Sequence, residues 1–346
     1  MPLALSASAL KSRLTTAKSR SGGGSAGAGG DLMTLTELPA FVRNELGLTG
    51  LLLTTDLLVG ADRTRLMQVL ESADKAACPV LALAEVNPLA LADPDDRKAD
   101  AAVERCLRVA QAAHWMGCSA FAVPVLAPDT EDGMDLAADR LKGVARKAEK
   151  LDLNLCISPA GGLTQTPEKV GELLKKIGGF RIGTMPDFAA AAASADRIAY
   201  LRRLVPYASM VVASGTKFEP VKGGGAVEAP KPKPEKPTKA KGKGKAAVEE
   251  DAPAPTPIAE VKHTAYDIKE LASVLVSVGY EGPIAIDYRG NGDPVPAILH
   301  IKSVLERLFD SGVEEDDVLS LLTGDLGELD LEEGEAEEEG KEEKAD

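Results

Sequence analysis

Three carboxylates end apolar runs of the sequence, at positions where side chains of an α/β protein can meet and do chemistry. Asp187 follows Gly183–Pro186, Asp287 follows Pro283–Ile286, and Glu85 follows a third apolar run. Carboxylates placed at strand ends can bind a divalent cation or accept and return a proton. Their use depends on whether the strands that carry them open on one common face.

Other polar residues lie near the ends of further apolar runs. Asp56 and Lys217 could reach the same opening, although a solvated loop charge is the plainer interpretation of both. Ser158 ends another run, and Gly161 and Gly162 follow it. Two glycines there could let backbone amides approach a phosphate, or could simply form a tight turn.

The three histidines stand away from these strand ends. His114 lies within an apolar helical pattern, His263 borders a low-complexity segment, and His300 belongs to the last predicted helix. Each is predicted to be structural or solvent-facing rather than a ligand or a base.

Eight apolar runs alternate with amphipathic helical patterns across most of the chain. Several runs are continuously apolar, as expected for strands buried on both faces. The predicted strands are Leu3–Ser8, Gly50–Thr55, Pro79–Ala84, Ala120–Val125, Leu153–Ser158, Arg181–Thr184, Met210–Ala213 and Pro283–Asp287. This alternation predicts an α/β protein, a (β/α)₈ TIM barrel, with a doubly wound open sheet as the competing fold. No Gly-x-Gly-x-x-Gly follows the first strand, which argues against a dinucleotide site.

Low-complexity segments interrupt this pattern. The barrel is predicted to occupy residues 1–324 as one domain, with a flexible loop at 9–32 that contains a glycine-rich stretch. A Lys/Pro-rich insertion after the seventh strand, residues 219–262, is predicted to be disordered, as is the acidic tail 325–346. The insertion carries seven lysines between Lys231 and Lys245, and the tail has a net charge of −10.

Composition limits the classes of partner and the compartment. The chain of 346 residues has a net charge of −14, which argues against a general affinity for nucleic acid. No apolar run approaches the roughly 18 residues that span a bilayer, so no membrane contact is expected. The sequence has no typical secretory signal, and its acid-free first thirty residues only loosely resemble a transit peptide. Four cysteines without metal-type spacing are predicted to be buried thiols, and a cytoplasmic location is predicted.

Four separated segments, in the same order, resemble the xylose isomerase-like TIM barrels of the sugar phosphate isomerase/epimerase family. The segment Leu153–Phe188 reads LNLCISPAGGLTQTPEKVGELLKKIGGFRIGTMPDF, and its last six residues resemble a family strand ending Gly-Thr-x-Pro-Asp-Phe. The other similar segments are His114–Cys118, Val205–Ala208 and Val278–Pro283.

The resemblance implies a divalent metal held at the ends of strands five to eight by Glu, Asp, His and Glu. In this chain the first glutamate corresponds to Ser158, and a family histidine two residues later corresponds to Ala160. The aspartate is retained as Asp187, the strand-seven histidine falls near Val212, and the last glutamate corresponds to Asp287. With one ligand of four intact, the expectation is a Mg²⁺, Mn²⁺ or Zn²⁺ ion bound weakly by Asp187 and Asp287, or no ion.

Two functions follow as expectations. The first is an altered isomerase or epimerase of a sugar or sugar phosphate, with Asp287 and Glu85 as catalytic carboxylates. The second is a non-catalytic binding or scaffold barrel, a pseudoenzyme that uses the Lys-rich insertion and the acidic tail for contacts. Abasic-site endonucleases share this barrel, but this chain lacks the histidines of their three-metal cluster. The residues predicted to bind substrate are Ser158, Gly161, Gly162 and Lys217.

Overall fold

Eight short parallel strands form a closed barrel in a computed structural model that describes residues 1–15, 32–221 and 260–310. Seven of the barrel strands are β1 to β7, and β10 is the eighth because β8 and β9 pair separately. All eight predicted strands are present, with ends within two residues of the predicted ones. The bounds are β1 Leu3–Ser6, β2 Leu51–Thr54, β3 Val80–Ala84, β4 Ala120–Pro124, β5 Asn154–Ser158, β6 Ile182–Thr184, β7 Val211–Gly215 and β10 Ile284–Tyr288.

Closure of the sheet distinguishes a barrel from an open sheet. Hydrogen-bonded neighbours run in the order β6-β5-β4-β3-β2-β1-β10-β7. The two end strands, β6 and β7, meet through isolated parallel bridges, one joining Thr184 to Ala208 and one joining Asp187 to Val212. At the second bridge the Val212 amide donates to the Pro186 carbonyl at 2.9 Å. The (β/α)₈ prediction is therefore confirmed, and the open sheet is excluded.

Helices cover the outside of the barrel. Acidic or hydroxyl side chains begin several of them by accepting hydrogen bonds from first-turn amides, as Asp62, Asp95, Thr130 and Asp267 do. The bounds are α1 Leu38–Asn44, α2 Arg63–Lys75, α3 Asp96–Trp115, α4 Glu131–Lys150, α5 Pro167–Ile177, α6 Phe188–Ala193, α7 Arg197–Leu204, α8 Ile268–Ser277 and α9 Pro294–Asp310. No helix among these described elements is long and apolar enough to cross a bilayer.

Alternation along the strands divides the buried side chains into two layers. Because successive residues of a strand point to opposite faces, Leu51 and Leu53 join the large outer core while Leu52 joins a smaller inner cluster. The inner cluster is rich in alanine and contains Val212 and Met185. All four cysteines are free and buried, as predicted, and burial raises the pKa of Cys156 to about 11.

Two predicted flexible segments are partly ordered at their edges. Residues Ala7–Arg13 form a 3₁₀ helix and Leu14 pairs with Met33, so the first residues of the loop predicted at 9–32 belong to ordered structure. The remainder of that loop lies outside the described residues.

The Lys/Pro-rich insertion begins and ends in an antiparallel pair of strands, β8 (Phe218–Pro220) and β9 (Val261–His263). Phe218 pairs with His263, and their rings meet edge to face at 5.0 Å. The strand pairing and the contact between these two rings explain why the predicted limits of the insertion, 219 and 262, lie within the ordered strands β8 and β9. The interior of the insertion and the acidic tail 325–346 lie outside the described residues.

Candidate ligand-binding mouth of the barrel

A cavity of about 560 Å³ opens at the carboxyl ends of the barrel strands. This is the face on which TIM barrels carry their binding sites. The barrel closes between β6 and β7, and we call this join the seam. Side chains from both sides of the seam reach the cavity, together with residues after β3 and β5. Its polar lining consists of Ser6, Ser8, Thr54, Glu85, Ser158, Asp187, Asp287 and Arg289.

Asp187 is fixed by the start of α6. Its Oδ1 accepts from the backbone amides of Ala189 (2.8 Å) and Ala190 (3.2 Å), as the N-cap of that helix. Ser214, from the end of β7, donates to the same oxygen at 2.9 Å. The carboxylate is 7% exposed and therefore sits at the edge of the cavity with most of its acceptor capacity used.

Asp287 lies in β10, on the other side of the seam. Its Oδ1 accepts from the Ser8 hydroxyl at 2.7 Å, and Ser8 in turn lies 2.7 Å from the Ser6 hydroxyl. Asp287 is 4% exposed. Asp187 and Asp287 both belong to the lining of this one cavity.

Arg289 links these two aspartates. Its Nε donates to Asp287 Oδ2 at 2.7 Å, its Nη1 donates to Asp187 Oδ1 at 3.3 Å, and its Nη2 donates to Asp187 Oδ2. Although burial disfavours its charge, the two carboxylates raise the pKa of Arg289 above its ordinary value. We define Asp187, Asp287 and Arg289 as the seam triad.

Sequence reasoning missed Arg289. The available signal was its spacing from Asp287, because residues i and i+2 of a strand face the same side. The backbone amide of Arg289 also bonds the Gly215 carbonyl of β7 at 2.8 Å, which extends the β10–β7 pairing beyond Tyr288.

Glu85 lines the same cavity but is held by the protein. Its Oε1 accepts from the Thr55 hydroxyl and from the amides of Val86 and Asn87, each at 3.0 Å. Its Oε2 pairs with Arg105 of α3. Burial raises the pKa of Glu85, but the Asn87 amide, Arg105 and Thr55 outweigh burial and leave the pKa below its ordinary value.

Several predicted residues lie elsewhere. Lys217 is exposed, and its carbonyl accepts from the Thr264 amide beside the β8–β9 pair. Gly161 and Gly162 have φ values of +84° and +56°; Gly161 immediately precedes a 3₁₀ helix, and Gly162 is the first residue of that helix. A side chain at Gly162 would approach the Ala127 carbonyl to 2.5 Å, so this glycine is required for packing. None of the three belongs to the cavity lining, whereas Ser158 does.

The histidines and Asp56 also have structural partners. His263 is buried, and its ring accepts from the Thr216 amide at 3.2 Å and bonds the Tyr266 carbonyl at 2.8 Å. The His114 ring lies 3.2 Å from the Leu151 carbonyl. Asp56 pairs with Lys11 and lies in a different cavity.

The sequence match over most of the chain identifies the family. The family described as “Xylose isomerase-like TIM barrel” matches residues 44–308. This chain belongs to that family. No curated protein matches the sequence significantly.

Solved structures with the same barrel include several sugar epimerases. The structure of L-ribulose 3-epimerase is 12% identical with a TM-score of 0.63, covering 92% of this chain and 98% of that one. A xylose isomerase domain protein from Planctomyces limnophilus is 12% identical with a TM-score of 0.57, covering 90% and 98%. D-Psicose 3-epimerase from Clostridium cellulolyticum H10, solved with D-tagatose, is 11% identical with a TM-score of 0.56, covering 89% and 95%. At these identities the likeness concerns the fold.

The positions at which the xylose isomerase-like resemblance placed metal ligands do not offer a fitting donor set. Ser158 and Val212 line the cavity in place of a carboxylate and an imidazole. The two remaining carboxylates are already bridged by a guanidinium. Among the described residues, no group of three or more His, Cys, Asp or Glu side chains has an arrangement suited to a metal ion. A divalent cation would have to displace Arg289 and would find no imidazole among the cavity residues.

Proposed function

We propose that this xylose isomerase-like barrel binds a neutral sugar or polyol at its mouth and does not isomerise it. The family and the sugar epimerases that share its fold support a sugar-like ligand. The cavity at the strand ends gives that ligand a place, and its side chains determine what can happen there.

One observation carries the proposal: each carboxylate in the cavity lining is paired with an arginine. Glu85 is paired with Arg105, while Asp187 and Asp287 share Arg289. A base that takes a proton from carbon needs an oxygen free to approach that proton. Paired carboxylates instead act as fixed acceptors, which suits recognition of hydroxyl groups.

The remaining lining also suits a neutral ligand. Ser6, Ser8, Thr54 and Ser158 supply hydroxyls, and Leu52, Met185 and Val212 supply apolar surface. Three carboxylates against Arg289 and Arg105 leave a net charge of −1, which disfavours a phosphate ester. A polyol can exchange its water contacts for hydroxyl and carboxylate contacts without bringing in an unpaired charge.

The experiment measures binding and proton exchange separately. Thermal unfolding and ligand-observed NMR would be recorded with D-fructose, D-tagatose and their phosphate esters. The same sugars would be incubated with the protein in D₂O, with and without Mn²⁺. We expect neutral sugars to raise the melting temperature and to keep all carbon-bound protons.

A matched pair of serine variants localises the binding. Ser158→Ala removes a hydroxyl from the cavity and should weaken the response to sugar. Ser273→Ala removes an exposed hydroxyl that bonds the Lys269 carbonyl on α8, and should leave the response unchanged. Deuterium at a sugar carbon would overturn the non-catalytic part of the proposal. A response to phosphate esters alone would overturn the neutral ligand, and no response to any sugar would overturn binding.

The scaffold role of the Lys-rich insertion and acidic tail remains a separate prediction, because both lie outside the described residues. The cytoplasmic location also remains a prediction. Neither is needed for sugar binding at the mouth.

A further inference from the structure

We propose that Arg289 has replaced the divalent metal as a cation built into the chain, so that the mouth is organised without a metal ion. The seam triad places this guanidinium between Asp187 and Asp287. These are the two positions at which acidic ligands of the xylose isomerase-like site are retained. The site therefore differs from the family expectation at its centre. The positive charge there belongs to an arginine side chain and not to a bound metal ion.

The geometry of the guanidinium explains how one side chain can join two carboxylates. Arginine presents five N–H groups in a planar fork that matches carboxylate oxygens. Two edges are used here: Nη1 and Nη2 face both oxygens of Asp187, and Nε faces Asp287. Lysine, a compact point charge, could not make this two-sided contact.

The other donors around the aspartates leave little room for a second cation. Asp187 Oδ1 already accepts from Ser214 and two α6 amides, and Asp287 Oδ1 accepts from Ser8. The second oxygen of each aspartate, Oδ2, accepts from Arg289. A metal ion would therefore have to remove the guanidinium and meet its positive charge nearby.

The substitution also changes what the centre can do to a ligand. A guanidinium brings one delocalised charge, whereas the implied metal would bring two concentrated charges. Three of the five N–H groups of Arg289 have partners in the described part of the chain. The side chain is 44% exposed and lines the cavity, so the other two N–H groups can donate to a ligand oxygen. Arg289 can thus orient an oxygen but cannot act as a strong Lewis acid.

Removal of Arg289 provides the test, with Mn²⁺ as the probe. Electron paramagnetic resonance and thermal unfolding would follow Mn²⁺ titrations of the full chain. Arg289→Ala should open a Mn²⁺ site whose affinity exceeds that of the wild type by about tenfold or more. Mn²⁺ should raise the melting temperature of this variant and not that of the wild type. Adding Asp187→Asn should abolish both gains.

A second substitution restores the family's imidazole. Val212 lines the cavity and is bridged to Asp187, so Val212→His combined with Arg289→Ala should bind Mn²⁺ more tightly than Arg289→Ala alone. Arg203→Ala is the matched control, because Arg203 pairs with Glu168 on the outer surface. It should leave the Mn²⁺ response at the wild-type level.

Two results would overturn the proposal. One is a wild-type protein that binds Mn²⁺ stoichiometrically at a site lost in Asp187→Asn. The other is an absence of any Mn²⁺ gain in both Arg289→Ala and its Val212→His combination. If Arg289→Ala does not fold alone, refolding with Mn²⁺ decides: recovery that requires Asp187 supports the proposal, and failure overturns it. These outcomes do not depend on sugar binding. The inference about Arg289 can therefore fail while sugar binding is confirmed, and sugar binding can fail while the inference about Arg289 is confirmed.

Discussion

Two arginine-paired acidic sites face each other across the barrel mouth, and they differ in what they hold together. At the β3 side, Glu85 bonds its own loop and one arginine from the following helix. At the seam, Arg289 of the β10 end joins carboxylates that belong to two different strand ends. The first site is local in sequence, and the second connects residues 102 positions apart.

The two sites also differ in how extensively the strands that carry them are paired with their neighbours. β3 is paired on both sides, with four residue pairs to β2, where the register shifts once between Leu51 and Leu52, and three to β4. Between β6 and β7 there are only isolated bridges, while β7 and β10 share five paired residues. Arg289 therefore spans the weakly paired seam, reaching from β10 past β7 to the start of α6. An arginine at the mouth can thus stabilise either a loop or the closure of the barrel.

The largest expected effect tests the β3 site. Arg105→Ala should lower the free energy of unfolding by about 3 kcal/mol, because it leaves a fully buried carboxylate without its counter-ion. Chemical denaturation gives the value. Arg203→Ala, which removes a surface ion pair, is the control and should cost at most about 0.5 kcal/mol. Equal losses in the two variants would contradict the importance of burial at Glu85.

Arg289→Ala should cost less, about 2 kcal/mol, because Asp187 and Asp287 keep other donors and their side chains are 9% and 5% exposed, whereas the Glu85 side chain is fully buried. Denaturation curves of this variant and Arg105→Ala would be measured side by side. The loss should be accompanied by faster hydrogen exchange at the Val212 amide, which bonds Pro186 across the seam. Faster exchange in β3 instead would refute the assignment of Arg289 to the seam.

Ser214→Ala should cost about 1 kcal/mol, because the buried hydroxyl donates to Asp187 and accepts from the Ala189 amide. In this variant Asp187 still accepts from Arg289, and the Ala189 amide still donates to Asp187. The same denaturation assay measures the change. Combined with Arg289→Ala, the loss should exceed the sum of the single losses, since the Asp187 carboxylate then keeps only amide donors. Strict additivity would show that the two residues stabilise separate features.

The smallest effect is a change in pH dependence at the β3 site. The pKa of Glu85 is lower in the folded chain than its ordinary value, so its contribution is present at neutral pH and lost as the pH falls through the folded pKa. The wild type should therefore lose stability on acidification below about pH 4.3. In Arg105→Ala, this acid loss should be shallower, because one cause of the lowered pKa is gone. Urea midpoints over a pH series would show this, and an unchanged slope would contradict it.

The mouth shows where reasoning from sequence succeeds and where it stops. The strand-end positions of Asp187, Val212, Ser158 and Asp287 were predictable because a parallel barrel gathers its strand ends on one face. The partners of Glu85 and Asp187 were not, since Arg105 approaches from a helix and Ser214 from the next strand. The predicted role of Glu85 as a catalytic carboxylate rested on position alone, and its five donors appear only once the chain is folded.

The barrel, its eight strands and the family could be predicted from the sequence, because strand and helix periodicities and local motifs each depend on a short stretch of residues. The contacts of the strand-end acids, by contrast, are visible only in the folded chain. A carboxylate's chemistry depends on the charges within a few ångströms of it, and the guanidinium that faces Asp187 lies 102 positions further along the chain.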